Sequence, residues 1–216
     1  MRFRTTKKHK EYWKNRKIDW KTSYLDTWNH PHRQLIANIL KLFPWFSLIE
    51  VGCGPGPNLV QIVKQIPGRQ VGGVDINEDA IALAKETLNG ALLKVCSGEN
   101  LLISDNATDV VLTDMMLIYA GPRKIHKYIE EIKRVARHYV VFCEFHHESW
   151  WKRLKLRLQE GYHAYNYEDL LHKHGFYDIN IIKIPEELWP EPDGTPGHEP
   201  QKTFGYIIKA KLPLRK

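Results

Sequence analysis

Three glycines at alternate positions, Gly52, Gly54 and Gly56, follow the apolar run Leu48-Ile49-Glu50-Val51. Such a run, closed by glycine, reads as a short buried strand. Glycine lets the chain turn tightly and lets a ligand approach the main chain, because no Cβ stands in the way. A second apolar stretch begins at Gln70 and ends in Asp75. A carboxylate at the end of that strand can accept hydrogen bonds from both hydroxyls of a ribose. Pro57 stands directly after Gly56, so the spacing is G-x-G-x-G and lacks the third glycine of the dinucleotide fingerprint G-x-G-x-x-G. A nicotinamide oxidoreductase and a tight turn with no ligand are the competing readings of this loop.

A second concentration of reactive groups is Glu144-Phe145-His146-His147-Glu148. It reads as a divalent metal site, as a single histidine base at His146 or His147, or as a polar strand end exposed to water. Successive residues of a strand point to opposite faces, so adjacent ligands there cannot all converge. The expectation is therefore no metal. Cys53, Cys96 and Cys143 lack C-x-x-C spacing and read as buried free thiols in a reducing compartment.

These groups need a scaffold that brings strand ends together. Strands are expected at 47–51, 70–75, 91–96, 108–113 and 139–145, alternating with helices at 58–65, 80–88 and 123–137. A further helix starts near Pro31 and carries Leu35, Ile36, Ile39, Leu40 and Leu42 as an apolar stripe. The segment from Glu148 to Glu160 is basic and amphipathic, and 167–174 reads as a helix stopped by Gly175. Two strands, 178–184 and 203–212, close the chain. Alternating strands and helices predict a parallel sheet covered on both faces, with ligands beyond the carboxyl ends of its strands. Gly52, Asp75, Ser97, Asp114 and His146 all fall at such ends. The long Pro-, Glu- and Gly-rich connection 185–202 reads as a lid or substrate wall, with Trp189 and His198 as its contact residues.

The run from Glu50 to Gly56, E-x-G-x-G-x-G, together with Asp75 and the stretch Ser97-Gly98-Glu99-Asn100-Leu101, resembles the class I (Rossmann-like), type 11-like S-adenosylmethionine-dependent methyltransferases. The resemblance extends from about Leu35 to Leu212. It implies an α/β fold with a mostly parallel seven-stranded sheet, helices on both faces and a C-terminal antiparallel strand pair. It also implies S-adenosyl-L-methionine as cofactor and S-adenosyl-L-homocysteine as product. Carried over by position, Gly52, Cys53, Gly54, Gly56 and Asn58 would surround the cofactor, and Glu50 would face its amino-acid end. Asp75 would bind the ribose and Ile76 would pack on the adenine. Ser97 stands where family members carry an acid that reads the adenine amine, with Gly98 and Glu99 beside it. Asp114 and Met115 would meet the methionine moiety and the substrate. Catalytic candidates are His146, Asp114 and Tyr119. Substrate-binding candidates are Tyr24, Trp28, His30, His32 and Trp189. The position after the fourth strand reads Thr113-Asp114-Met115-Met116, not N-P-P-Y or D-P-P-Y, and no Pro-Cys pair is present. Both absences argue against the nucleobase enzymes built on those motifs.

The leaving group in such a transfer is a neutral thioether, so no acid is needed to expel it. The protein must place the methyl about 3 Å from the nucleophile and, for some acceptors, remove a proton.

The net charge of +7 is concentrated at the N-terminus. Arg2, Arg4, Lys7, Lys8, Lys10, Lys14, Arg16 and Lys17 face one acid, Glu11, and the rest of the chain is neutral. Residues 1–34 are expected to form a basic, aromatic, partly helical arm or cap, with the catalytic domain at 35–216. The arm is a solvated terminus, a lid over a small-molecule site, or an RNA-binding element. No apolar run approaches a bilayer span and no signal-peptide core follows the basic residues, so no membrane partner and a cytoplasmic location are expected. The expected acceptor is a small molecule or metabolite. RNA is the alternative through the arm, and an S-adenosylmethionine-binding protein without transfer activity is the non-enzymatic one.

Overall fold

A computed structural model describes residues 6–189 and 200–213. His198 and the arm residues Arg2 and Arg4 lie outside the described residues. Helix α1 (Thr6–Lys14) and the short α2 (Trp20–Ser23) precede α3 (Pro31–Leu40). Then β1 (Ser47–Val51), α4 (Pro57–Gln65), β2 (Gln70–Asp75), α5 (Glu78–Thr87), β3 (Leu92–Val95) and β4 (Thr108–Asp114) alternate. Helix α6 (Ile125–Val135) runs directly into β5 (Ala136–Phe145). The chain ends with α7 (Trp150–Glu160), α8 (Tyr167–Lys173), β6 (Tyr177–Lys183), the short α9 (Gln201–Phe204) and β7 (Gly205–Lys211).

The seven strands form one sheet in the order β3-β2-β1-β4-β5-β7-β6. All neighbours are parallel except β7, which runs antiparallel to both β5 and β6. The order reverses between β1 and β4, which opens a crevice beyond their carboxyl ends. Strands β1 and β4 are covered on both faces, which is why Leu48–Val51 and Val110–Thr113 read as continuous apolar runs. On one face α3, α4 and α5 bury Ile36, Leu40, Leu59, Ile62 and Ile81 against the sheet. On the other, α6 and α8 bury Ile129, Ile132, Tyr167 and Leu171. The three cysteines are free and buried. Among the described residues no helix is long and apolar enough to cross a membrane.

Three expectations shift. Leu42 lies past the end of α3 and is 79% exposed, so the apolar stripe stops at Leu40. The last strand begins at Gly205 instead of Thr203, because Gln201–Phe204 turn once as helix and Phe204 is buried against Phe145. The end of β5 is not a water-exposed polar cluster. Glu144 is fully buried, and its carboxylate accepts the backbone N–H groups of Met116, Leu117 and Ile118 at 3.0, 3.0 and 3.3 Å. It thereby fixes the turn that leaves β4.

One side chain makes much of the N-terminal segment's connection to the body of the fold, beside the Lys17 Nζ–Asp79 pair and the packing of His9 and Trp13 on Tyr119. The Asn77 Oδ1 caps α5 by accepting from Ala80 N at 3.0 Å. Its Nδ2 donates to the carbonyls of Trp13, Lys14 and Arg16 at 2.9, 3.4 and 2.9 Å. Those carbonyls lie at and just past the end of α1, where a helix leaves its acceptors unpaired. Asn77→Ala therefore removes a cap and the arm's anchor together. The expected outcome is a loss of about 1–3 kcal/mol in urea unfolding. Limited proteolysis should also cut faster within residues 8–17, and unchanged cleavage there would show that other contacts hold the arm.

Candidate active site

A cavity of about 310 Å³ lies beyond the carboxyl ends of β1, β2 and β4. Its floor is the loop Gly52-Cys53-Gly54-Pro55. Gly52, Gly54 and Gly56 all have positive φ, at 81°, 53° and 86°, where a side chain is strained. The amides of Gly52 and Cys53 are drawn onto Val74 O at 2.7 and 3.0 Å, which joins the loop to β2. A Cβ on Gly52 would stand 2.5 Å from Met116 Cγ, whereas one on Gly54 would meet nothing within 4 Å. Gly54 thus presents bare backbone to the space above it. Asp75 accepts from Gly54 N through Oδ2 and from Asn77 N through Oδ1, at 2.9 and 2.8 Å. Each oxygen keeps a second lone pair. Ile76, Cys96, Ser97, Gly98 and Tyr128 continue the wall.

The opposite wall is polar and buried. Asp114 Oδ2 receives His32 Nε2 at 3.1 Å, Arg33 Nη1 at 3.1 Å and Asn58 Nδ2 at 2.9 Å. The same Asn58 Nδ2 donates to Glu50 Oε1 at 2.6 Å, and Arg33 Nη1 donates to Asn58 Oδ1 at 3.0 Å. Glu50 Oε2 and Asp114 Oδ1 are buried without a hydrogen-bond partner. Burial, aided by the charge of Asp114, pushes the Glu50 carboxyl up to about 8. Burial also acts to raise Asp114. The cations and donors around it more than offset that and hold its carboxyl well below the usual range. His32 is pulled down to about 4, chiefly by burial and also by the charge of Arg33, with Asp114 opposing. Neutral His32 has one N–H. Donating it from Nε2 to Asp114 leaves Nδ1 unprotonated, 2.6 Å from His30 Nδ1, which caps α3 by accepting from His32 N at 3.4 Å. Trp189 stacks on the His32 ring at 4.3 Å and 12°.

Aromatic side chains from the N-terminal helices close the remaining side. Trp13, Trp20 and Tyr24 line the cavity together with Tyr119, His9 and Lys10. Trp13 meets Tyr119 edge-on at 5.4 Å, and His9 lies 5.2 Å from the same ring. Burial holds the Tyr119 phenol protonated, far above its ordinary value. Met115, at the end of β4, has φ of +52°, a strained backbone for a non-glycine residue at the cavity edge.

Most of the expected site residues converge here. Glu50, Gly52, Cys53, Gly54, Asn58, Asp75, Ile76, Ser97, Gly98, Asp114, Met115, Tyr119, Tyr24, His32 and Trp189 all line the cavity. His30 stands behind His32. Like His30, four others do not line it. Gly56 caps α4, and its Cα faces Leu88. The Glu99 carboxylate turns to Lys124 Nζ at 2.7 and 2.9 Å. Trp28 packs on the α4 side, with Lys64 Nζ 4.7 Å over its ring. His146 points away among Tyr167 and Tyr206, its Nδ1 accepting from Tyr167 N at 3.2 Å. It does not line the cavity. Arg33 and Met116 were not singled out in the sequence. The signal for Arg33 was a charged residue on the first turn of an otherwise apolar helix. Among the described residues no group of three or more His, Cys, Asp and Glu side chains could hold a metal ion.

This fold, with its ligand crevice over a glycine loop, is that of the class I S-adenosylmethionine-dependent methyltransferases. Residues 48–139 match the family model of the methyltransferase domain. No curated protein matches the chain by sequence. Among solved structures it is similar to a methyltransferase of Thermotoga maritima described as a possible histamine N-methyltransferase. That likeness has 16% identity, 94% of this chain and 98% of that one covered, and a TM-score of 0.64. It is also similar to geranyl diphosphate C-methyltransferase of Streptomyces coelicolor, at 13% identity, 96% and 97% coverage and a TM-score of 0.68. A third is magnesium protoporphyrin IX methyltransferase of Synechocystis with bound S-adenosylhomocysteine, at 12% identity, 95% and 98% coverage and a TM-score of 0.63.

The buried histidine gives a signed pH test. Between pH 6.5 and about 4 the unfolded chain holds a proton on residue 32 that the folded chain does not. Stability therefore rises with pH across that window and is lost on acidification. Going from pH 7 to pH 5, the wild type should lose about 2 kcal/mol more than His32→Gln in urea unfolding. Equal losses would mean that His32 is not held neutral.

Proposed function

We propose that the chain transfers a methyl group from S-adenosyl-L-methionine to a small-molecule acceptor and releases S-adenosyl-L-homocysteine. The carrying observation is the cavity itself: a glycine cradle on one side and an aromatic roof of Trp13, Trp20, Tyr24 and Tyr119 on the other. The residues fit the cofactor. The bare backbone at Gly54 leaves room for a nucleoside, and the free lone pairs of Asp75 suit its diol. Ile76, Ser97 and Gly98 stand at the adenine end. Glu50 Oε2 and Asp114 Oδ1 are buried acceptors without a donor, and they suit the α-ammonium of the amino-acid end, with Asn58 and Met115 beside them. The bound cofactor supplies an electrophilic methyl on a cationic sulfur.

What the chain's own residues do is bind, orient and exclude water. Aromatic faces near the reacting centre favour a cation over bulk anions. Neither His32, at about 4, nor the protonated Tyr119 is a strong base at neutral pH. The acceptor is therefore one whose lone pair is already free at neutral pH, such as a weakly basic nitrogen or a carboxylate. Tyr24, His32 and Trp189 are its contacts, and residues 1–34 act as a cap over the domain formed by 35–216. The three buried cysteines suit the reducing cytoplasm. The packing of His9 and Trp13 onto Tyr119 favours this reading of the N-terminal segment over an RNA-binding arm.

A cation bound beside Glu50 favours its ionised form, so binding releases a proton below about pH 8. Affinity for S-adenosylmethionine, measured by titration calorimetry, should rise roughly tenfold or more from pH 6 to pH 8. In Glu50→Gln that rise should be lost. Function is tested by transfer of labelled methyl into a host cell extract. Label in the small-molecule fraction is expected. Label in RNA, removed by ribonuclease, would overturn the acceptor class. Cofactor binding with no label in any fraction would overturn transfer altogether.

A further inference from the structure

Helix α7 carries a surface that the methyl-transfer reading does not use. Its sequence is WWKRLKLRLQE. One residue, Leu156, is buried, and it anchors the helix among Ile118, Phe145, Ala164 and Phe204. At about 100° per residue, the positions opposite Leu156 are Trp150, Trp151, Leu154 and Leu158. They fall within one arc of roughly 100°. Trp150, Trp151 and Leu158 are 66%, 60% and 53% exposed. Leu154, at the centre of that arc, is half-buried, while Trp150, Trp151 and Leu158 turn their apolar surface outward, away from the core.

Cations flank that stripe on both sides. Lys155 follows it on one edge and Arg157, then Arg153, on the other, while Lys152 lies further round, about 40° from Leu156. Lys152, Lys155 and Arg157 are exposed. Arg153 is half-buried, and its Nη1 donates to the carbonyls of His147 and Glu148, at 2.7 Å each. The acids nearby are Glu148 before the helix and Glu160 at its end. Ser149 caps the helix, accepting from Lys152 N at 3.5 Å, and Gly161 ends it with φ of 79°.

We propose that α7 docks the protein on an anionic phospholipid surface. Tryptophan and leucine enter the boundary between headgroups and acyl chains, while flanking lysine and arginine reach the lipid phosphates. Charge decides among occupants. A second copy joined about a two-fold axis would set these cations against themselves. A nucleic acid would want the cations at the centre of the face and not at its edges. A bilayer surface wants the arrangement present: apolar centre, cationic flanks. Such docking needs no spanning helix, so it is compatible with the absence of one among the described residues. It does not depend on which molecule is methylated.

The test is cosedimentation of the full chain with vesicles of phosphatidylcholine alone or mixed with phosphatidylglycerol. Binding to the anionic vesicles at low ionic strength is expected, weakening as salt is raised to about 0.5 M. The double substitution Trp150→Ser, Trp151→Ser should reduce that binding about tenfold or more. Lys152→Glu with Lys155→Glu should reduce it by a similar factor. All four positions are exposed, and thermal unfolding followed by circular dichroism should be unchanged in both variants. No sedimentation of the wild type would overturn the proposal. So would binding that survives both double variants, which would assign it to the basic N-terminal segment. Self-association abolished by the tryptophan substitutions, without vesicle binding, would overturn it in favour of a second copy.

Discussion

The Asp114 carboxylate is the joint on which the site depends. It ends β4, and it receives donors from two residues of α3 and one of α4. A buried carboxylate is costly unless its oxygens are satisfied and its charge is balanced. Arg33 supplies the balancing charge, and His32 and Asn58 complete the donor set around Oδ2. The price of burying it is thus met by drawing α3 down over the carboxyl ends of the sheet. That placement in turn sets the position of His30, of Trp189 through its stack on His32, and of the cavity wall they form. The carboxylate is left with one oxygen, Oδ1, buried without a hydrogen-bond partner, as is Oε2 of Glu50.

The parallel half of the sheet was legible from sequence because its physics is local. Strands buried on both faces are continuous apolar runs, and the glycine loop and turn residues mark where they stop. The bounds of β1 and β2 coincide with those expected, and β4 and β5 differ only in extension at their ends. The antiparallel pair was legible as elements, but not the helical turn before β7, which exists because Phe204 is buried against Phe145. Leu42 shows the converse: an apolar residue at the right spacing, but past the point where the helix ends.

The site was legible where backbone chemistry dictates residue type and illegible where long-range packing does. The glycines and Asp75 announce themselves because few residues can do their work. Period-two alternation warned that Glu144 through Glu148 cannot converge, but it does not say what covers each face. In the structure Glu144 turns inward to hold three amides, and His146 is covered by Tyr206 and Tyr167. Trp28 and His32 lie four residues apart and looked alike as candidates. Tertiary contact sends one to Lys64 and the other to Asp114. Arg33 was hidden for the same reason: its partner is far along the chain.

The anchoring of α1 by Asn77 has a kinetic side. The cavity is bounded by Trp13 and His9 on that helix, and the helix is fastened to the sheet largely at its far end. Breaking those few hydrogen bonds takes much less free energy than opening the sheet beneath. The N-terminal helix is therefore the wall of the cavity that costs least to displace. Passage of any molecule by that route would depend on the side chain of Asn77, which does not itself line the cavity.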